Sequence, residues 1–173
     1  MAIYALGELE PSIDPEAFVH PDATLIGDVR VGPQASIWPS AVLRADSEPI
    51  RVGARTSIQD GSVLHVAPGL PTTVGEDCVI GHLVHLEGCL VEDRSLVGSG
   101  AVVLHHAVVR SGALVGAGAL VPGGMEVPSR AQALGVPAKL RPDSVDPELM
   151  IDLGAALYVE RAGHYRKALR RLD

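Results

Sequence analysis

Aromatic residues are nearly missing from this chain: one Phe, one Trp and three Tyr, 3% of 173 residues. That scarcity excludes a core assembled around large rings. The 47% of hydrophobic residues must therefore be mainly Val, Ile, Leu and Ala, small side chains suited to a narrow, repeating cross-section. Cysteine is just as sparse. Cys78 and Cys89, with no basic-then-apolar segment at the N-terminus, argue against a disulfide scaffold and suggest a reduced, cytoplasmic setting in which both pack as small hydrophobes. No uninterrupted apolar run approaches the roughly 20 residues that span a bilayer, so no membrane partner is expected. Positive charge is short too, with 14 Lys and Arg against 21 Asp and Glu, net −7. Nucleic-acid partners, which draw their affinity from basic neutralisation of phosphates, are set aside on that ground.

What the chain has instead is a repeat of six. Aliphatic residues recur at Leu25, Val31, Ile37 and Leu43, at Val52, Ile58 and Leu64, at Val74 and Ile80, and then without a break from Val91 through Val97, Val103, Val109, Val115 and Val121 to Val127. A small residue follows most of them four positions on: Ala35, Ala41, Thr56, Ser62, Ser95, Ala101, Ala107, Ala113, Ala119. This is the hexapeptide signature of a parallel β-helix, three short strands to a triangular coil of eighteen residues. A β-sandwich would show period-two alternation and hairpin turns, which are absent.

Three intervals break the rhythm. Leu43 to Val52 is nine residues, Leu64 to Val74 ten, and Ile80 to Val91 eleven. The first two read as insertions of three and four residues that bulge out as loops; the third reads as a deletion of one. After residues 1–141, the assigned β-helix, residues 142–173 read as a helix opened by Pro147, with Leu149, Leu153, Ala156 and Leu157 on one stripe facing the β-helix or a neighbouring subunit.

The irregular region contains "VLRADSEPIRVGARTSIQDGSVLH" and "TVGEDCVIGHLVHLEGC". The series R-x-D, I-Q-D-G-x-x-x-H and G-H resembles that of the γ-class carbonic anhydrases, and the likeness runs from Val19 to the final helix. It implies a left-handed β-helix, a homotrimer and a divalent metal, zinc first, with iron, cobalt or manganese as alternatives, held between subunits. By position, His65 and His82 match metal ligands. Arg44 and Asp60 match an intersubunit ion pair, Asp46 matches a residue near it, and Gln59 matches the residue that hydrogen-bonds the metal's water. The implied reaction is the reversible hydration of carbon dioxide to bicarbonate by metal-activated hydroxide.

One position departs from the pattern. Relatives read G-H-x-x-x-L-H-G-C where this chain has Gly81-His82-Leu83-Val84-His85-Leu86-Glu87-Gly88-Cys89, so the third ligand becomes Glu87. Two His and one Glu is an established catalytic zinc set, but the carboxylate's charge should leave the water less acidified and the activity weak. His85 and His105 are alternatives for the third position. His105, eighteen residues beyond Glu87, is expected to stack on it one coil along as ligand or hydrogen-bond partner. The competing reading makes all these histidines outward-facing corner residues. At the level of function, two further readings stand beside the lyase. One is a hexapeptide acyltransferase using coenzyme A, suggested by Gly135-Val136-Pro137-Ala138-Lys139; the other is a non-catalytic trimeric scaffold.

Overall fold

The computed structural model describes residues 2–173. The chain winds into a parallel β-solenoid of about seven turns followed by one C-terminal helix. Three rows of strands run along it. The first row carries Val63–His65, His85–Glu87, Val102–Val103 and Leu120–Val121; the second carries Thr72–Val74, Leu90–Val91, Val108–Val109 and Glu126–Val127. The long strands Thr24–Val31 and Val42–Val52 belong to both rows. The third row runs from Phe18–Val19 to Gln132–Leu134, and the antiparallel strand Lys139–Arg141 covers its end.

The repeat explains this shape. Each aliphatic anchor points inward and stacks on its counterpart in the next coil, so Leu25, Leu43, Leu64 and Leu86 form one fully buried column and Ile37, Ile58 and Ile80 another. Burying each such side chain contributes about 1.5–3 kcal/mol. The small residues fill the corners, where Ala35, Ala41, Ala101 and Ala113 are wholly enclosed. Where the small residue is polar, the next coil satisfies it: Thr56 Oγ1 donates to Gly75 O at 2.6 Å and Ser62 Oγ to Gly81 O at 2.8 Å.

The structure relocates the irregularities. The first insertion is a bulge inside a continuous strand, not a loop: Gly27 pairs with Ala45 and Val29 with Ile50, so residues 46–49 face Asp28 alone. Gly27 permits this, because a Cβ there would lie 2.0 Å from Ala45 O. The second insertion closes as a tight turn in which Ala67 and Leu70 exchange backbone hydrogen bonds. The two insertions touch, since the Gly69 N–H donates to Glu48 Oε1 at 3.0 Å. The deletion falls after Leu86, a fully buried anchor six residues beyond Ile80. Leu86 pairs with Val103, seventeen residues on, whereas Val91 pairs with Val109, eighteen on. The shortened corner turns at Gly88, φ +59°, where a Cβ would meet His105 Cδ2 and Leu70 Cβ at 3.0 Å each.

Four of the five aromatics share one task. Phe18, Trp38, Tyr158 and Tyr165 form a single cluster that docks the helix Leu153–Ala168 onto the third row, with ring centroids 5.1–5.9 Å apart. Trp38 Nε1 donates to Ser36 Oγ and Ser57 Oγ, both at 3.0 Å. The packed face is Ala155, Tyr158, Ala162 and Tyr165. Of the two faces expected for the stripe, the β-helix is not the one it meets: Leu149, Leu153 and Leu157 face away from it and are 69%, 66% and 49% exposed. Rings bury more surface than leucines and win the docking face. Among the described residues no helix is long and apolar enough to cross a membrane.

The helix docking sets a contrast in urea unfolding. Trp38→Ala should cost about 3–5 kcal/mol, while Leu153→Ser in the isolated chain should change stability by less than about 0.5 kcal/mol.

Candidate metal centre

Parallel stacking makes functional neighbours of residues far apart in sequence. Arg44, His65 and Glu87 are consecutive rungs of the first row, each directly paired with the next. Neighbouring strands lie about 4.8 Å apart, so all three side chains project from one face within reach of each other. Asp46, two residues beyond Arg44 on the same side of its strand, opens the first insertion and ion-pairs with Arg44.

Around this column the contacts are close. His65 Nδ1 lies 3.1 Å from Glu87 Oε1, and His65 Nε2 lies 3.3 Å from Asp46 Oδ1. His85 Nε2 is 3.1 Å from Glu87 Oε2. The strand His85–Glu87 is regular and the deletion comes after it, so His85 and Glu87 share a face. His105 does not stack on Glu87 as a rung, because this coil is seventeen residues long, with Leu86 opposite Val103, whereas His105 lies eighteen residues beyond Glu87. From its corner it still reaches back, with Nε2 3.4 Å from Glu87 Oε1.

Glu87 thus faces three imidazoles. Burial works against its charged form, but hydrogen bonds from His85 and His65, with the His105 ring close by, outweigh that cost and hold its carboxyl below the ordinary value of 4.5. An ionised carboxylate only accepts, so His65 Nδ1 and His85 Nε2 must be the donors. In its neutral form the His65 ring then has its lone pair on Nε2. That atom is buried and has no hydrogen-bond partner; His105 Nε2 is likewise unpartnered.

His82 and Asp60 form a separate pair. They occupy equivalent corners of adjacent coils, where Leu83 N–H donates to Asp60 O at 2.9 Å, and His82 Nδ1 lies 3.0 Å from Asp60 Oδ2. A carboxylate on one imidazole nitrogen fixes the tautomer and leaves the other free to ligate, the usual arrangement behind a metal-binding histidine. The His82 side chain is half exposed. Within the chain Asp60 therefore pairs with His82 and Arg44 with Asp46; Arg44 and Asp60 are not joined. Gln59 is buried beside Asp60, and no hydrogen bond links it to either cluster.

Of the three expected ligands, then, the structure brings His65 and Glu87 together and leaves His82 on another corner. Among the described residues no three His, Cys, Asp or Glu side chains of one chain are gathered to hold a metal ion. The donor set nonetheless fits one shared between chains. Two histidines each have one nitrogen fixed by a carboxylate, and the other nitrogen of His65 is an orphaned buried acceptor that a cation would satisfy. The contacts of Asp46 and His105 were not foreseen in this form. Treating Leu86 as an anchor would have located the deletion and the true register of His105.

Comparison with known proteins adds to this geometry. No family model matches the chain. It is 39% identical to the carbonic anhydrase of Geobacillus kaustophilus over 170 residues, 98% of this chain and 93% of that protein. It is 46% identical over 100 residues to γ carbonic anhydrase 1, mitochondrial, of Arabidopsis thaliana, and 42% identical over 104 residues to protein YrdA of Escherichia coli. Those matches cover 54% and 56% of this chain but only 36% and 56% of the two relatives. Among solved structures, a Bacillus cereus protein provisionally named an acetyltransferase superposes with a TM-score of 0.94 at 34% identity, covering 97% of this chain and 98% of that one. A hexapeptide transferase family protein from Anaplasma phagocytophilum gives 0.90 at 34% identity, covering 95% and 98%.

The Glu87 cluster has a pH signature. Its carboxyl is held low in the folded state, so its contribution is present above the ordinary value of 4.5 and is lost as pH falls through the lower folded value. Urea midpoints of chelator-treated protein between about pH 3 and 6 should therefore fall less steeply with acidification in Glu87→Gln than in wild type.

Proposed function

Since the chain belongs to the γ-class carbonic anhydrase-like family of hexapeptide-repeat proteins, we propose that it is a metal-dependent, carbonic anhydrase-like protein. Its ion is held by His65 and a carboxylate of one chain together with His82 of the partner subunit. By position in the family pattern that carboxylate is Glu87. The observation that carries the reading is the pair of carboxylate-fixed imidazoles: His65 with its orphaned Nε2, and His82 half exposed on a different corner of the same coils. Two such donors on separate corners cannot serve one ion within a chain. Between chains of a symmetric trimer, one chain's His65 can meet the next chain's His82.

Bound there, a divalent ion, zinc foremost, would supply the Lewis acidity that lets water add to carbon dioxide near neutral pH. The chain's own residues do the rest. Asp60 holds His82 in the ligating tautomer, and Arg44 balances the charge of Asp46. Gln59 is assigned to orienting the water on the family pattern. Two carboxylates close to His65 make the site more negative than one of three neutral imidazoles, so the activity is expected to be weak.

A second reading rests on the two solved transferase relatives, which match the whole chain at 34% identity. In that reading coenzyme A binds between subunits and a histidine serves as general base.

Elemental analysis of protein purified without chelator, with light scattering and carbon dioxide hydration on the same samples, separates the two. The expected result is a trimer with about one ion per subunit, at least about tenfold depleted in His65→Ala and in His82→Ala, with hydration falling in parallel. No metal after growth with added zinc, iron or cobalt, together with a melting temperature raised by coenzyme A, would replace the lyase with the acyltransferase.

A further inference from the structure

We infer that Asp46, and not Glu87, is the carboxylate that completes the metal centre, with Glu87 acting as the residue that positions His65. This rests on the metal-centre reading above and changes its ligand set.

The two carboxylates stand on opposite edges of the same imidazole. Glu87 Oε1 meets Nδ1 at 3.1 Å, and Asp46 Oδ1 faces Nε2 at 3.3 Å. The Glu87 contact is a hydrogen bond to an ionised acceptor, so the proton of His65 is on Nδ1. Nε2 and Asp46 Oδ1 are then two lone-pair atoms facing each other in a partly buried place, with no donor between them. Two acceptors at that separation repel unless a cation lies between them. A proton is one candidate, but Nε2 makes no aligned hydrogen bond to Asp46. A metal ion is the other. With metal–nitrogen distances of about 2.0–2.1 Å and metal–oxygen distances of about 2.0–2.2 Å, the ligand atoms of a tetrahedral site are separated by about 3.3 Å. The gap between His65 Nε2 and Asp46 Oδ1 has that width.

Glu87 is differently placed. Its Oε1 accepts from His65 and its Oε2 from His85, with His105 adjoining Oε1. Both oxygens already have partners, and the face of His65 they occupy is the one that carries the proton. Asp46 has one oxygen engaged by Arg44 and the other turned to His65. Arg44 neutralises Asp46 without occupying that second oxygen. The first insertion also gains a purpose: the bulge of residues 46–49 starts at Asp46, on the side of the strand from which Arg44 and its rung partner His65 project. Ligation by His65, Asp46 and His82 of the partner subunit takes only two donors from each chain's column, in keeping with the lack of any three-residue metal set within one chain.

The test uses the full chain in wild-type form and as Asp46→Asn, Glu87→Gln and Arg44→Gln. Each is loaded with cobalt and read by metal content after dialysis and by the visible absorption bands of the bound ion, with light scattering and thermal unfolding as folding controls. Gln at position 87 keeps an acceptor oxygen for His65 Nδ1. Glu87→Gln should therefore hold its cobalt with unchanged bands and an affinity within about tenfold of wild type, while Asp46→Asn should lose more than about a hundredfold. Arg44→Gln, which removes the ion pair but no ligand, should keep the wild-type bands. Loss of the ion or altered bands in Glu87→Gln overturns the assignment, as does wild-type binding by Asp46→Asn; in either case the metal-centre reading survives. Wild-type protein that takes up no cobalt overturns both.

Discussion

Coil closure governs everything else in this molecule. Each turn of the solenoid brings the chain back to the same three faces, and the backbone ladders together with the inward aliphatic columns hold successive turns in register. A residue's neighbours are therefore set by coil length. Where the coil is eighteen residues the surface repeats; where it is longer or shorter, distant residues are carried into new company. Asp60 meets His82 and His65 meets Glu87 because their coils are twenty-two residues long, and His105 falls out of register with Glu87 because the next is seventeen.

That register also settles the electrostatics. A column of outward residues on adjacent coils is as close as cross-strand partners in any sheet, so opposite charges and hydrogen-bonding groups placed there must pair or repel. Arg44 with Asp46, Glu87 with three imidazoles, and the separate pair of Asp60 with His82 are such contacts, and in them the histidines lie against carboxylates. Two ring nitrogens remain unsatisfied, His65 Nε2 and His105 Nε2, and the first faces Asp46 where the bulged strand adjoins the column. A regular scaffold interrupted at one place is a common setting for chemistry, because the rigid part holds what the irregular part presents.

The family relationship gives this arrangement its meaning and its limit. Likeness across nearly the whole chain to a carbonic anhydrase accompanies equally extensive likeness to structures named as transferases, so the shared fold alone decides nothing about the reaction. What marks this chain is the carboxylate at position 87, which sets both the charge of the cluster and the hydrogen bonding of its neighbours. His85 and His105 donate to, or adjoin, this carboxylate and partly offset its charge.

The sequence by itself determined the coil: the six-residue spacing of Val, Ile and Leu, the small corner residues and the near absence of aromatics admit little but a narrow parallel β-helix, because only that cross-section buries such a pattern. It also singled out the stretch from Arg44 to Glu87 as the candidate site. Four matters were left to the tertiary structure. The first insertion became a bulge and not a loop because its strand could stay paired around Asp28, and the helix turned its leucines outward because four aromatic rings claimed the docking face. Asp60 took His82 as its partner, and Asp46 came to face His65, through stacking between coils. Periodicity records which way a side chain points, in or out of the core; which outward side chains meet depends on how many residues each coil contains and where the extra or missing ones fall, and that is decided only when the coils are stacked.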